Sequence, residues 1–316
     1  MRKFTHINTA TVDEAVAALK KGKAAAMAGG TDLLGTMKEE ILREYPEIVI
    51  NLKTITPSLD YIKEEGGMLK IGALTRLEDI AKSTVVKSKY AALAEAALRT
   101  ASPHIREMGT IGGNICQLNR CWYFRWPSNR FDCVRKGGGM CYATAGDNRY
   151  HSIFGGVQAC MAVNPSDTAP ALVALNAKIV TSKKTIDAEK FWAVKFPGST
   201  VLDADEIVTE IQVPTPAAGV KSAFVKFAIR TSIDFPVVNC AAAISSTDAR
   251  ICLNAVYNLP YRATKAEDAI KGKTIDVANA EAAGAAAAQG SIALSMNKYK
   301  IQIAKAMVKK TILACA

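Results

Sequence analysis

The sequence predicts an α+β fold divided into two or three packed subdomains. Three observations carry this. At 316 residues the chain is too long for one compact core. Its first two thirds alternate short apolar runs with helical stretches, and the breaks fall at glycine pairs. Beyond a proline-marked break the pattern changes to paired strands followed by two long helices.

Each element has a local reason. Thr11 followed by Glu14 is a capping-box signature that opens a helix over Val12 to Lys21, and Gly22 stops it. A small-residue strand, Ala24 to Ala28, runs into Gly29-Gly30-Thr31-Asp32 and a second helix from Leu33 to Arg43. Ile48 to Leu52 is a short apolar strand whose partner the sequence does not name. Tyr61 to Ile71, broken at Gly66-Gly67, predicts a hairpin. Arg76 to Lys82 and Ala91 to Thr100 are helical. Lys178 to Thr181, Ile207 to Val213 and Ala223 to Ile229 are strands, and Pro214, Pro216 and Gly219 mark a linker. Val237 to Ser245 pairs with Ile251 to Tyr257, and helices over Asp276 to Gln289 and Lys298 to Leu313 finish the chain.

Composition narrows the function. Hydrophobic residues make up 49% and charged residues 22%, the balance of a soluble globular protein. No run approaches the roughly 20 apolar residues that span a bilayer. The N-terminus lacks the apolar core of a signal peptide, so the expected location is the cytoplasm, with export only as a passenger on a partner. The net charge of +11 is spread from Lys3 to Lys310 without an arginine-rich run or a recognition motif. It suits anionic cofactors or acidic partner surfaces better than nucleic acid. Eight cysteines in such a chain predict free thiols rather than a disulfide framework. Cys240 and Cys252 lie in apolar strands and read as structural thiols, and Cys315 lies at the end of the last helix.

Two constellations carry chemistry. The first is a pair of glycine turns, Ala28-Gly29-Gly30-Thr31-Asp32-Leu33-Leu34 and Gly109-Thr110-Ile111-Gly112-Gly113-Asn114. Glycine permits close backbone approach, and Thr31, Thr110 and Asn114 add side-chain hydrogen bonds, so the two turns could clamp one pyrophosphate from two sides. Neither fits the dinucleotide G-x-G-x-x-G or the P-loop lysine pattern, which disfavours a Rossmann or nucleotide-hydrolysing site. The second is Cys121, Cys133, Cys141 and Cys160, separated by eleven, seven and eighteen residues. There is no C-x-x-C, so zinc-ribbon and bacterial-ferredoxin motifs are absent. Four thiols still suit an iron–sulfur cluster or a zinc ion. Trp122, Tyr123, Phe124, Trp126 and Phe131 between them offer an apolar shell, and Gly137-Gly138-Gly139 offers backbone N–H groups. Cys116, two residues past Asn114, is assigned to the wall of the glycine-turn site. His104 and His151 read as structural, and no catalytic residue is singled out.

These residues resemble the FAD-binding medium subunit of the molybdenum hydroxylases, the family of xanthine dehydrogenase and carbon monoxide dehydrogenase. The resemblance rests on the two glycine turns, Ile71-Gly72-Ala73-Leu74-Thr75, Ser166-Asp167-Thr168-Ala169-Pro170 and Lys226 to Phe235, and so covers almost the whole chain. It implies a two-subdomain FAD fold of the vanillyl-alcohol-oxidase type followed by a three-stranded antiparallel sheet with helices. The implied divisions are 1–55, 56–213 with a cysteine-rich insertion at about 116–160, and 220–316. It implies FAD held by Ala28, Gly29, Gly30, Thr31, Asp32, Leu33, Ala101, Ile105, Thr110, Gly112, Gly113, Asn114 and Cys116. Ser166, Asp167 and Lys226 would lie on the ribityl and phosphate side, and Asp234 and Phe235 near the isoalloxazine. The insertion is similar to that of the 4-hydroxybenzoyl-CoA reductase and periplasmic aldehyde oxidoreductase branches, which implies a [4Fe–4S] cluster on Cys121, Cys133, Cys141 and Cys160. The implied work is electron relay beside a large molybdenum-cofactor subunit and a small [2Fe–2S] subunit. NAD, ferredoxin or quinone would be the external partner. Two other readings stay open: a metal-binding assembly module with a degenerate flavin site, and a self-sufficient FAD oxidoreductase.

Overall fold

A computed structural model describes residues 1–316. The capping box forms one residue out of register: Thr11 Oγ1 accepts the Glu14 N–H at 3.1 Å, while the Glu14 carboxylate accepts the N–H of Ala10 at 2.7 Å. The helix it opens, Val12–Leu19, packs on a parallel sheet in which Ile48–Asn51 lies between Thr5–Asn8 and Ala24–Met27. The strand Ile48–Asn51 thus has two partners. One of them, Thr5–Asn8, is too polar to read from periodicity.

The middle of the chain builds a five-stranded antiparallel sheet in the order Ile62–Glu65, Met68–Gly72, Val208–Pro214, Lys178–Thr181, Thr185–Asp187. Gly66 and Gly67, at φ +60° and +71°, make the two-residue hairpin turn that demands glycine. Leu69, Ile71, Ile179 and Ile211 face a core shared with the helices Leu77–Lys82, Ala91–Leu98 and Thr168–Ala174.

The C-terminal sheet has four antiparallel strands, Lys221–Phe227, Val238–Ile244, Ala249–Asn254 and Tyr261–Arg262, where three were expected. The fourth is only two residues long, below what a hydrophobic pattern reveals. Alternation along these strands splits the sheet between two cores. Phe224, Ala241 and Cys252 join the middle core, while Val238, Cys240, Ile251 and Leu253 pack under the helices Thr264–Ile270, Val277–Ala287 and Tyr299–Leu313. Both structural thiols are therefore fully buried, on opposite faces.

One further expectation changes. The second helix ends at Lys38, because Glu40 adopts φ +50° and turns the chain away before Arg43. The region from Gln117 to Val163 carries little regular structure beyond the turns Trp122–Arg125, Pro127–Asn129 and Val134–Lys136.

Candidate functional site: a glycine-walled cleft beside a four-thiol cavity

The two glycine turns meet. A Cβ on Gly29 would strike the Met108 carbonyl at 1.8 Å, and one on Gly109 would lie 3.5 Å from Thr31 Oγ1. Only a bare backbone lets the strand Ala24–Met27 deliver its turn onto the segment before Thr110. The turns form one wall of a cleft of about 990 Å³, the size of a pocket for a large organic cofactor.

Their backbones are used differently. The N–H groups of Gly29, Gly30, Thr31 and Asp32 donate to no backbone carbonyl. In the second turn most are taken, Thr110 N–H being the exception. Ile111 N–H bonds Thr75 O, Gly112 N–H bonds Ala73 O, Asn114 N–H bonds Thr110 O, and Gly113 N–H is capped by Thr110 Oγ1 at 3.1 Å. The first turn has the free amides that an anion cradle requires; the second offers the open face of Gly113, whose added Cβ would meet only Thr110 Oγ1.

Of the cofactor residues expected from sequence, Ala28 to Leu33, Ala101, Ile105, Thr110, Gly113, Asn114, Cys116, Asp167, Asp234 and Phe235 line the cleft. Gly112, Ser166 and Lys226 do not. Gly112 packs against Ala73, where a Cβ would lie 2.8 Å from its carbonyl oxygen. Ser166 is buried behind the wall, and its hydroxyl, with that of Thr168, donates to Asn114 Oδ1 at 2.6 and 2.7 Å. Lys226 bonds Asp167 at 2.7 Å and caps Arg99 O. Asn239 donates to the other Asp167 oxygen. Burial raises the Asp167 pKa, and the Lys226 ammonium opposes the shift.

Asp32 faces the cleft, but its carboxylate is committed to the insertion. Oδ1 accepts from Arg125 at 2.7 Å and forms an ion pair with Arg120 at 2.8 Å, and Oδ2 accepts the Leu118 N–H at 2.9 Å. Arg120 also lies over the Phe235 ring at 4.6 Å. Burial, with Arg125 alongside, brings the Arg120 guanidinium down to about 10.

The insertion gathers Cys121, Cys133, Cys141 and Cys160 around one narrow cavity. No three of histidine, cysteine, aspartate and glutamate stand close enough to share a single metal ion. Cys121 precedes the turn Trp122–Arg125, and burial pushes its thiol up to about 12 against the N–H groups of Phe124 and Tyr123. Cys133 precedes Val134–Lys136, and its sulfur meets the N–H groups of Arg135 and Lys136. Asn119, also lining the cavity, has a buried Nδ2 without a partner. Such an orphaned donor suits a sulfur-rich occupant.

His151, read as structural, lies with Nε2 3.2 Å from Cys121 Sγ, and burial lowers it to about 4, so the ring is neutral at pH 7. The last helix holds it there. Lys300, fully buried, donates to the carbonyls of His151 at 3.0 Å and Ala255 at 2.7 Å, and Asn297 donates to His151 O and Ser152 O. Nothing in the local sequence links position 300 to a cysteine at 121; only the folded chain does.

An unbonded glycine-turn cradle opening on a large cleft is the class of site that takes a phosphate-bearing cofactor. The comparisons agree. Residues 2–216 match the FAD binding domain in molybdopterin dehydrogenase, and residues 223–315 match the CO dehydrogenase flavoprotein C-terminal domain. The aldehyde oxidoreductase FAD-binding subunit PaoB of Escherichia coli K12 is 34% identical over 279 residues, covering 84% of this chain and 86% of that protein. The nicotinate dehydrogenase FAD-subunit of Eubacterium barkeri is 28% identical, covering 89% and 84%. A solved structure of carbon monoxide dehydrogenase from Hydrogenophaga pseudoflava superposes with a TM-score of 0.76 at 28% identity, over 99% of this chain and 97% of that one. The chain belongs to the FAD-binding medium subunits of the molybdenum hydroxylase family and is an oxidoreductase subunit. No helix is long and apolar enough to cross a membrane.

Proposed function

We propose that this subunit relays electrons between FAD in the glycine-walled cleft and a [4Fe–4S] cluster on Cys121, Cys133, Cys141 and Cys160. The observation that carries the reading is the convergence of four thiols, distant in sequence, on one cavity of the insertion that Asp32 ties to the cleft. The first-turn amides would hold the pyrophosphate, Asp234 and Phe235 would flank the isoalloxazine, and Cys116 would stand in the wall. FAD, when bound, exchanges electrons singly or in pairs, and the cluster exchanges them one at a time. The chain's own residues orient both groups and exclude water. The cavity is narrow in this conformation, about 10 Å³, room for about one water.

The partners in this reading are a large molybdenum-cofactor subunit and a small [2Fe–2S] subunit. NAD, ferredoxin or quinone would be the external acceptor or donor. Reduced thiols fit a cytoplasmic complex. The divisions 1–55, 56–213 and 220–316 are the proposed domains; residues 214–219, with Pro214, Pro216 and Gly219, form the linker. The test is iron, acid-labile sulfide and FAD content on anaerobically purified chain, with Cys133→Ser alongside. Four irons, four sulfides and one FAD are expected, with iron lost and flavin kept in the variant. A Cys133→Ser chain with full iron would overturn the ligand assignment; FAD without iron would return the insertion to a structural role.

A further inference from the structure

One residue belongs to both sites. Arg135 lines the flavin cleft and the four-thiol cavity, and no other residue lines both. Its backbone N–H faces Cys133 Sγ, and its side-chain Nε donates to Cys160 Sγ at 3.3 Å. It therefore touches two of the four thiols. Nη1 is fixed by Gly198 O at 2.8 Å, Pro197 O at 3.4 Å and Ser199 Oγ at 3.3 Å, and the guanidinium lies over the Phe196 ring at 5.4 Å.

Arg135 is only 2% exposed, among the largest fully buried side chains of the protein. A buried guanidinium ordinarily has a carboxylate partner. Here the side-chain partners are a thiol, two carbonyls and a hydroxyl, none of them a carboxylate. The next residue repeats the pattern: Lys136 Nζ is buried without a hydrogen-bond partner and lies over the Phe124 ring. Two cations that no carboxylate bonds directly, beside four thiols, favour an anionic occupant, and an iron–sulfur cluster held by four thiolates carries net negative charge.

We infer that Arg135 is a positioning residue that clasps the cluster on its flavin side and sets its reduction potential. The inference rests on the [4Fe–4S] reading above. Reduction adds one electron to the cluster and leaves every bond and proton in place, so the change is one unit of negative charge. A fixed cation, with an N–H···S bond to a ligand sulfur, favours the more negative state. Arg135 therefore raises the potential of the cavity's occupant and eases electron arrival from the cleft.

The experiment is a redox titration of the purified full chain with dithionite as reductant, following the reduced cluster by electron paramagnetic resonance, with iron and flavin measured in parallel. Arg135→Gln removes the charge, and Arg135→Lys keeps it without the planar fork. The Gln variant is expected to shift the one-electron equilibrium at least tenfold toward the oxidised cluster, about 59 mV lower, with the Lys variant within that margin of wild type. An unchanged potential in the Gln variant overturns the inference, as does a Lys variant that falls as far. If the Gln variant loses its iron while keeping flavin, the Lys variant decides: iron kept at near wild-type potential supports the role of charge, and iron lost overturns it. A wild-type chain with flavin but no iron fails the [4Fe–4S] reading instead, which separates the two.

Discussion

Asp32→Asn tests the joint between the glycine turn and the insertion. The side chain is 19% exposed and has three partners, hydrogen bonds from Arg125 and the Leu118 N–H and an ion pair with Arg120. Asparagine keeps one acceptor oxygen and loses the charge and the second oxygen. The oxygen left to it can serve the arginines or Leu118, not all three. Charge-assisted bonds are about twice as strong as neutral ones, at about 1.5–3 kcal/mol each against about 1. Softening two of them and orphaning a half-buried N–H sums to about 2–4 kcal/mol; the lower end applies where the arginines reach solvent. The assay is amide hydrogen exchange. An opening made easier by about 2 kcal/mol exchanges roughly 30-fold faster. That acceleration is expected from Leu118 to Arg125, with the C-terminal sheet strands Val238–Ile244 and Ala249–Asn254 unchanged. Iron content should fall with it, because Cys121 lies in the released segment. Unchanged protection at Leu118 together with full iron and flavin would refute the joint.

Two further perturbations address the cleft and its support. Gly113→Val drives a branched side chain into the space beside Thr110 Oγ1 and is expected to leave the purified chain without flavin, read from the visible absorption band; normal flavin content would remove Gly113 from the binding wall. Lys226→Met leaves Asp167 buried and unpaired, since the two side chains are 4% and 3% exposed. It should cost about 3–5 kcal/mol in denaturant unfolding, most of it recovered by adding Asp167→Asn.

Local chemistry made much of this molecule readable. A strand running into Gly29-Gly30, a hairpin broken at Gly66-Gly67 and the capping pair Thr11 and Glu14 each announce themselves within a few residues, because one backbone geometry demands one residue type. Grouping the four thiols was also within reach, as their density in one insertion is unusual. Long-range bonding stayed hidden. The second glycine turn looks like the first, yet its amides are taken by Ala73 and Thr75, residues of a remote segment. Asp32 reads as a cofactor ligand until Arg120 and Arg125 are seen to converge on it. Ser166 and Lys226 support the wall from behind, a distinction that depends on which side of the backbone faces the cleft. Arg135 and His151 carry no local mark, since their roles exist only against sulfurs brought in from elsewhere in the chain.

The grip of Asn297 and Lys300 on the carbonyls of His151 and Ser152 has a bearing on biosynthesis. During translation all four thiols and the whole flavin cleft leave the ribosome well before the helix that braces them. The rear of the cysteine pocket is thus completed only when the C-terminal sheet has folded and Tyr299–Leu313 has docked across it. In the proposed cluster reading, metallation therefore waits for that docking, and a fragment stalled ahead of the helix would hold the cysteines on an unbraced loop.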